Sequence, residues 1–559
     1  MAEAIKRSKD TGALAGKLFT YLSLKETQDS KKYGAAYAGF QAKAAPLFSN
    51  LAFFAHEIKQ IDGKAIETAL QSSEKLRHYE PWLDSIRRGI PHTPPLDVQR
   101  YAAELSPESG WNKLYDDRDV ARRFTFEGKA LQMNEIVEIF TSAPDRARRK
   151  AAHEVFVETL AQDSWMFAQL HNEIMRLTAV DNRWSNFKNP WDARHFSNNV
   201  APEIVDALET AVKDSYARIS HRFYALKAKL MGLDRLEIYD RNVNVFEGGK
   251  EQKISYDEAK TIVLDAYRRF MPRMADEAQK FFDNGWIDAS PDENKRGGAF
   301  AHPGGAQLAH PMVMLNYMGS PRDVATMAHE LGHGVHQLLA AHKGDAIVST
   351  PLTFAETASV FGEMLTFKSL LAGANNDDER RKLLFEKVND MINTVFRQIP
   401  FYDFEKRINT TYRDKGQPLT EEEFGTHWCE ALQDSYGDAL QLDESYGATY
   451  GYIPHIVHTP FYVYAYAFGD ALVNALYAVY EEGSVPDFEE NYIKMLEAGG
   501  TLKPEDLQDM FGLDIKDPAF WDKGLQVIEN LLDELETLCK PLLDPKNRNT
   551  NKNAPKAAP

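Results

Sequence analysis

Residues 320–339, S-P-R-D-V-A-T-M-A-H-E-L-G-H-G-V-H-Q-L-L, decide how this 559-residue chain is read. Ser320 is an N-cap residue type, Pro321 suits the first helical position, and Asp323 stands third in a capping-box pattern. The stretch therefore opens a helix. Some two turns on come His329, Glu330 and His333. Residues i and i+4 of a helix project from one face, so both imidazoles can point at one ion with Glu330 beside them. Gly332 and Gly334 each cost about 1 kcal/mol against Ala inside a helix, which close packing or room beside the ion would justify. His336, at the next turn, reads equally well as a packing residue or a functional one.

H-E-x-x-H on a helix is the arrangement of zinc peptidases. A catalytic zinc takes three protein ligands and keeps one position open. A third His six residues after the second is ruled out, because that position is Leu339. We assign Glu356, 23 residues after His333 in F-A-E-T-A-S-V-F-G-E-M-L, as the third ligand. Glu363 lies seven residues further on, near the same helix face, and is assigned as acceptor for the outer N–H of a ligand histidine, His329 in the first instance. One zinc ion per chain is expected, since two histidines and a carboxylate favour zinc over cobalt or manganese. Water held in such a site is acidic near pH 7. Glu330 can take its proton as general base and deliver it to the leaving amine, and tyrosine hydroxyls or a histidine can meet the developing oxyanion.

Outward from this segment the chain reads as helix. Apolar residues recur at helical spacing over 35–61, 131–141, 147–170, 203–231, 256–284 and 380–410, with kinks or breaks expected at Pro46, Pro272 and Pro400. Pro91, Pro94 and Pro95, residues 185–192 and residues 373–378 read as loops. Strand patterns are few: 236–246, which partly alternates, and 312–318, a short apolar run. The Gly-rich stretch 296–305 reads as a flexible loop without phosphate-cradle spacing, and 436–452 as a loop able to close over substrate. The fold class expected is mainly α with a small β-sheet near the zinc helix. The expected division is an N-terminal helical region, 1–184, a catalytic region, 185–543, and a disordered tail, 544–559.

The chain carries 65 Lys+Arg against 83 Asp+Glu, a net charge of −18. That balance argues against a general nucleic-acid or anionic-membrane binder. The two cysteines, Cys429 and Cys539, exclude a disulfide framework and suit a reduced, cytoplasmic protein. Residues 1–10 are polar, so no signal peptide is expected, and no long apolar run predicts a membrane span. If the surplus carboxylates line a substrate channel, they should attract cationic peptides.

H-E-L-G-H-G-V-H at 329–336 followed by F-A-E-T-A-S at 354–359 resembles the oligoendopeptidase F branch of the thimet oligopeptidase family. K-R-G-G-A-F at 295–300, L-N-Y-M-G-S at 315–320 and I-P-H-I-V-H-T-P-F-Y-V-Y-A-Y-A-F-G at 453–469 agree with it. The resemblance implies a two-lobed helical ellipsoid with a deep channel and zinc on its floor, and an endopeptidase for short peptides that spares folded proteins. It matches His329, His333 and Glu356 to the zinc ligands and Glu330 to the catalytic base. It matches His455, Tyr462 and Tyr466 to positions that bind substrate and the oxyanion, with Tyr464 and His458 as competitors. Asn316, Tyr317 and Gly319 would lie on an edge strand that pairs with the peptide backbone. Read from the residues alone, Tyr462 and Tyr466 at i and i+4 share a face, and the alternative is an aromatic face packed in a core. The chain enters its helical region almost at Met1, which reads either as a trimmed start or as a compact member of this family. Two other readings stand beside the endopeptidase: a carboxypeptidase or dipeptidase with the same zinc site, and an inactive peptide-binding homologue, against which the intact His329, Glu330, His333 and Glu356 weigh. The oligomeric state is left open.

Overall fold

The computed structural model describes residues 1–49, 52–95, 97–99, 108–246, 253–303, 310–344 and 352–544. The tail beyond Asp544, and the end of the Gly-rich stretch at 304–305, lie outside them. The described chain is mainly helical, with one two-stranded and one three-stranded sheet. None of its helices is long and apolar enough to cross a membrane.

The long helical runs are present but divided. The 256–284 run splits into Tyr256–Phe270 and Pro272–Asp283, with Met271 extended between them. Pro272 opens the second helix, where a missing N–H is harmless. The 380–410 run becomes Asp377–Met391, a π-helical turn Ile392–Phe396, and Gln398–Lys415 with Pro400 in its first turn. By contrast the helix Ser30–Ser49 continues through Pro46. The 147–170 run breaks between Arg146–Ala161 and Ser164–Trp184. Asp163 stands at that break, and its carboxylate accepts from Arg118 and Arg122. The 203–231 run divides into Pro202–Asp214 and Ser220–Met231.

The chain divides into two compact units, each assembled from three stretches. One comprises Met1–Pro91, Lys250–Gly373 and Val479–Leu513, the other His92–Gly249, Ala374–Ala478 and Asp514–Pro559.

In the second unit, β1 (Phe124–Phe126) and β2 (Lys129–Leu131) form a hairpin that pattern reading missed. Its Glu127–Gly128 turn has φ of 51° and 75°, the backbone a two-residue hairpin turn requires. Leu131 is therefore strand, and the helix expected from 131 begins at Met133. The strand expected over 236–246 does not form. Leu236 makes a single bridge to Leu440, and Ile238–Asp240 is a 3-10 turn. Its geometry is set by the fully buried Asp240 carboxylate, which binds Arg146 and Arg149. The loop expected over 436–452 is also corrected. Glu444–Tyr452 is a 3-10 run with Tyr446, Gly447, Thr449, Tyr450 and Gly451 buried. Thr449 Oγ1 accepts from the indole of the buried Trp428, and Gly451 leaves no room for a side chain against Phe167. This segment is core.

In the first unit, β3 (Ile287–Asp288), β4 (Phe300–His302) and β5 (Met312–Met314) make a sheet of order β3-β5-β4. Ile287 pairs parallel with Val313, and Phe300 antiparallel with Met314. The run 312–318 thus supplies a strand only over its first three residues. Part of the presumed flexible loop 296–305 is β4. Lys295 Nζ donates to Asp288, Ser290 and Leu315, and the Asn316 amide to the Arg296 and Gly298 carbonyls, so the approach to β4 is pinned.

Beside this sheet lies the motif helix, Pro321–Ala340. Ser320 Oγ accepts from Asp323 N, the Asp323 carboxylate accepts from Ser320 N, and Pro321 takes the first helical position, as expected. The motif helix packs on Pro272–Asp283, on Phe488–Ala498 and above all on the helix Thr357–Ala372, here the acid helix. A Cβ at Gly332 would lie 2.4 Å from the Ala358 carbonyl oxygen and 2.6 Å from Ser359 Cα; one at Gly334 would strike the Phe281 ring at 2.6 Å. The two glycines that weaken the helix locally are thus what lets its neighbours close on it.

Replacing Gly by Ala inside a helix ordinarily stabilises by about 1 kcal/mol. Gly332→Ala should reverse that sign and cost about 1–3 kcal/mol, because the obstruction is backbone and cannot rotate away. Urea unfolding of the two proteins measures the difference.

Candidate metal centre

His329 and His333 leave the motif helix one turn apart, with ring centroids 4.9 Å apart and planes at 84°. Glu356 is the N-cap residue of the acid helix, which the Gly332 contact draws against the same face. Its Oε2 lies 3.4 Å from His329 Nε2 and 3.4 Å from His333 Nε2. One donor atom from each of the three residues lies within 4.8 Å of the others. Ligand atoms about 2.1 Å from a tetrahedral centre stand about 3.4 Å from one another, so the spacing suits zinc, as does the donor set.

The outer atoms of the ligands are held. His329 Nδ1 lies 3.4 Å from Glu363 Oε2, the pairing expected from sequence. His333 is hydrogen-bonded to the Ala355 carbonyl. Ser359 Oγ donates to Glu356 Oε2 at 2.6 Å and fixes the carboxylate rotamer. Burial opposes charge on both imidazoles. At His329 it is outweighed by the Glu363 hydrogen bond and by Glu356, so the net push is upward. At His333 burial prevails, and the ring is held below the usual histidine range.

Glu330 is 7% exposed, and its Oε2 meets no hydrogen-bond partner among the described residues. The carboxylate accepts from the Ala301 N–H of β4. Burial pushes it up to about 7, opposed by His329 and reinforced by Glu356. A buried carboxyl with a free oxygen and a pKa near neutrality is suited to accept and release a proton. His336 resolves as packing: it is 4% exposed, and burial pushes it down to about 3.

Two tyrosines pin the helix pair. Tyr267 donates to the Ala328 carbonyl at 2.5 Å, the residue before His329, and Tyr492 donates to the Thr357 carbonyl at 2.7 Å, the residue after Glu356. Gly362 makes room for Tyr267, whose hydroxyl would sit 2.3 Å from a Cβ there. Sequence reading missed Ser359, Ala301 and both tyrosines. Only Ser359, three residues after Glu356 in E-T-A-S, carried a local signal.

The Asn316–Gly319 segment departs from expectation. It continues from β5, the middle strand of its sheet and not an edge. The Asn316 amide is spent on Arg296 and Gly298, and the Tyr317 hydroxyl on the Ile254 carbonyl. Gly319, at φ 95°, accepts from Ile254 N, with the Ile254 carbonyl 3.0 Å from where a Cβ would stand.

In the second unit, His455, Tyr462 and Tyr466 form a cluster. The His455 and Tyr462 rings are near-parallel, and Tyr466 Oη lies 3.3 Å from His455 Nε2. Tyr466 is 38% exposed. Tyr464 is corrected from substrate binder to core residue: it is fully buried, and its hydroxyl accepts from Asn198 at 2.8 Å beside His195. His458 pairs with Asp116 at 2.9 Å and is edge-on to Tyr115.

The sequence profile of peptidase family M3 matches residues 139–527, and that of the oligopeptidase F N-terminal region matches 57–124. The chain is 26% identical over 539 residues to oligopeptidase PepF of Bacillus subtilis, covering 94% of this chain and 78% of that one. It is 25% identical over 535 residues to group B oligopeptidase PepB of Streptococcus agalactiae, covering 93% and 87%. Among solved structures, oligoendopeptidase F from Enterococcus faecium superposes with a TM-score of 0.72 at 22% identity, covering 96% of this chain and 92% of that one. A Chlamydophila abortus protein reaches 0.85 at 24%, covering 96% and 90%. A profile match across well over half its length, together with an intact H-E-x-x-H…E constellation, makes this chain a member of peptidase family M3.

Proposed function

We propose that the chain is a zinc-dependent endopeptidase that hydrolyses internal bonds of short, unstructured peptides. The observation that carries the reading is the convergence of His329, His333 and Glu356 donor atoms beside the buried, half-partnered carboxyl of Glu330. The relatives' names, oligopeptidase and oligoendopeptidase, support the substrate class.

When bound, zinc supplies a Lewis acid and makes a water molecule acidic near neutral pH. The remaining chemistry belongs to the chain. Glu330 takes a proton from the attacking water and returns it to the leaving nitrogen. The Ala301 N–H holds its carboxylate in place meanwhile. Glu363 and the Ala355 carbonyl fix the orientation of the two imidazoles, and Ser359 that of Glu356. We assign Tyr462, Tyr466 and His455 to the substrate carbonyl and its oxyanion, by motif position and by their mutual contacts. The side chains of Asn316 and Tyr317 are committed to the fold, so we assign them no contact with the peptide. The proposed partners are short peptides, not nucleic acid or membrane, in a cytoplasmic setting that suits two free cysteines.

An internally quenched peptide blocked at both ends should be cleaved, and chelation should abolish cleavage. Turnover only of peptides with a free C-terminus would replace the endopeptidase reading with a carboxypeptidase. Glu330→Gln should keep its zinc and lose about 10²–10⁴-fold in kcat; full activity in that variant refutes the mechanism.

Glu363→Gln should weaken zinc binding by about 10–100-fold, read by titration against a metal buffer. From the net charge of −18, kcat/KM for a cationic peptide should fall as ionic strength rises. A flat salt response would confine the acidity to a solubility role.

A further inference from the structure

Among the described residues, five non-glycine positions have positive φ: Glu127, Asn186, Asn199, Phe461 and Asp487. Four are polar turn residues. The fifth is an aromatic ring, 2% exposed, at φ 59°. A bulky side chain rarely adopts this backbone, and such strain persists only where the surroundings enforce it. Phe461 sits in the turn between the helices Pro454–His458 and Tyr464–Glu482. That turn carries Tyr462 and separates His455 from Tyr466, and the Tyr466 Oη–His455 Nε2 contact spans it.

Two side chains distant in sequence grip the turn by its backbone. Glu405 Oε1 accepts from Phe461 N at 2.6 Å, and Arg194 Nε donates to the Pro460 carbonyl at 3.0 Å. Glu405 is 1% exposed, and its second oxygen has no partner among the described residues. A carboxyl buried with one oxygen orphaned is a poor stabilising device, since an apolar side chain of similar size avoids the desolvation cost. Its yield here is a fixed backbone at a strained residue.

We propose that Glu405, assisted by Arg194, is a positioning residue: by holding Phe461 in its left-handed conformation it sets the direction of Tyr462 and Tyr466 relative to His455. The inference rests on the reading that those tyrosines act on the substrate. Burial pushes the Glu405 carboxyl up to about 8, against the Phe461 N–H and Arg194. The acceptor at neutral pH is therefore a carboxyl C=O, which a glutamine amide reproduces.

The test uses the full-length, zinc-loaded protein and a quenched peptide. Glu405→Leu should lower kcat by about tenfold or more with little change in KM or zinc content, with at most a modest fall in Tm from the Phe461 N–H left without its acceptor. Glu405→Gln should restore most of kcat. Tyr466→Phe should lower kcat by itself, and adding Glu405→Leu to it should cost little more, because the two act through one group. The inference is overturned if Glu405→Leu keeps full kcat while Tyr466→Phe loses it, if Glu405→Gln is as impaired as Glu405→Leu, or if the two losses are additive. If Tyr466→Phe and Tyr462→Phe both keep full kcat, the reading of the tyrosines is at fault and the inference goes with it. Should Glu405→Leu fail to fold, Arg194→Met puts the same question through the Pro460 carbonyl, with the same kcat and additivity criteria.

Discussion

The backbone contact at Gly332 is the constraint on which the metal centre depends. Gly332 is three residues after His329 and one before His333, so the missing side chain is on the imidazole face. There the acid helix comes in until its Ala358 carbonyl and Ser359 Cα occupy the place a Cβ would take. This brings Glu356, just ahead of those two residues, to 3.4 Å from both imidazoles. A side chain at this point would displace the ligand that completes the set. The price is a local weakening of the motif helix, offset by a capped start and by the Tyr267 and Tyr492 hydroxyls that tie each helix backbone beside its ligand.

The carboxyls of this protein show how position divides one functional group into several. Glu356 accepts from Ser359 and faces two imidazoles, the position of a candidate metal ligand. Glu363 stands behind His329 and orients it. Glu330, a residue away from His329 in sequence, is buried with a free oxygen and is pushed toward neutrality, as a proton carrier requires. Glu405 is buried too, but spends its bond on a backbone N–H and carries no proton in the proposed reaction. What separates these roles is the partner each oxygen finds.

The sequence was most legible where the chemistry is local. A capping box, an i, i+4 histidine pair and a glutamate on the next helix all follow from helical geometry, and His329, Glu330, His333, Glu356 and Glu363 stand as that geometry requires. The minor sheet was half legible: β5 is apolar and bounded by Pro311, whereas β3 and β4 are two and three residues long, too short for alternation to register. The hairpin at 124–131 was missed although Glu127–Gly128 supplies a turn signal. Segment 236–246 was misread because Leu236, Ile238, Val243 and Val245 alternate with polar residues, whereas the buried Asp240 between them is held by its ion pairs in a 3-10 turn. Residues 436–452 look like a loop because they are rich in Gly and Tyr. Gly447 and Gly451 let Gly425 and Phe167 approach, and only the fold reveals that.

The burial of Tyr464 follows from the helical period. Tyr464 and Tyr466 stand two residues apart at the start of the helix Tyr464–Glu482, and a step of two residues turns the side chain through about 200°. Tyr462 lies just before the helix, its ring edge-on to that of Tyr466; Tyr464 points away from Tyr466. Once Tyr466 is at the surface with its hydroxyl against His455, Tyr464 is committed to the interior, where its hydroxyl needs a buried partner. Asn198 and His195 supply that partner, and Tyr402 lies on the other side of His195, with its hydroxyl 3.2 Å from Nε2. The buried tyrosine therefore anchors the start of the helix that presents the exposed one. An exposed hydroxyl at Tyr466 and packing at Tyr464 are two consequences of the same helical period.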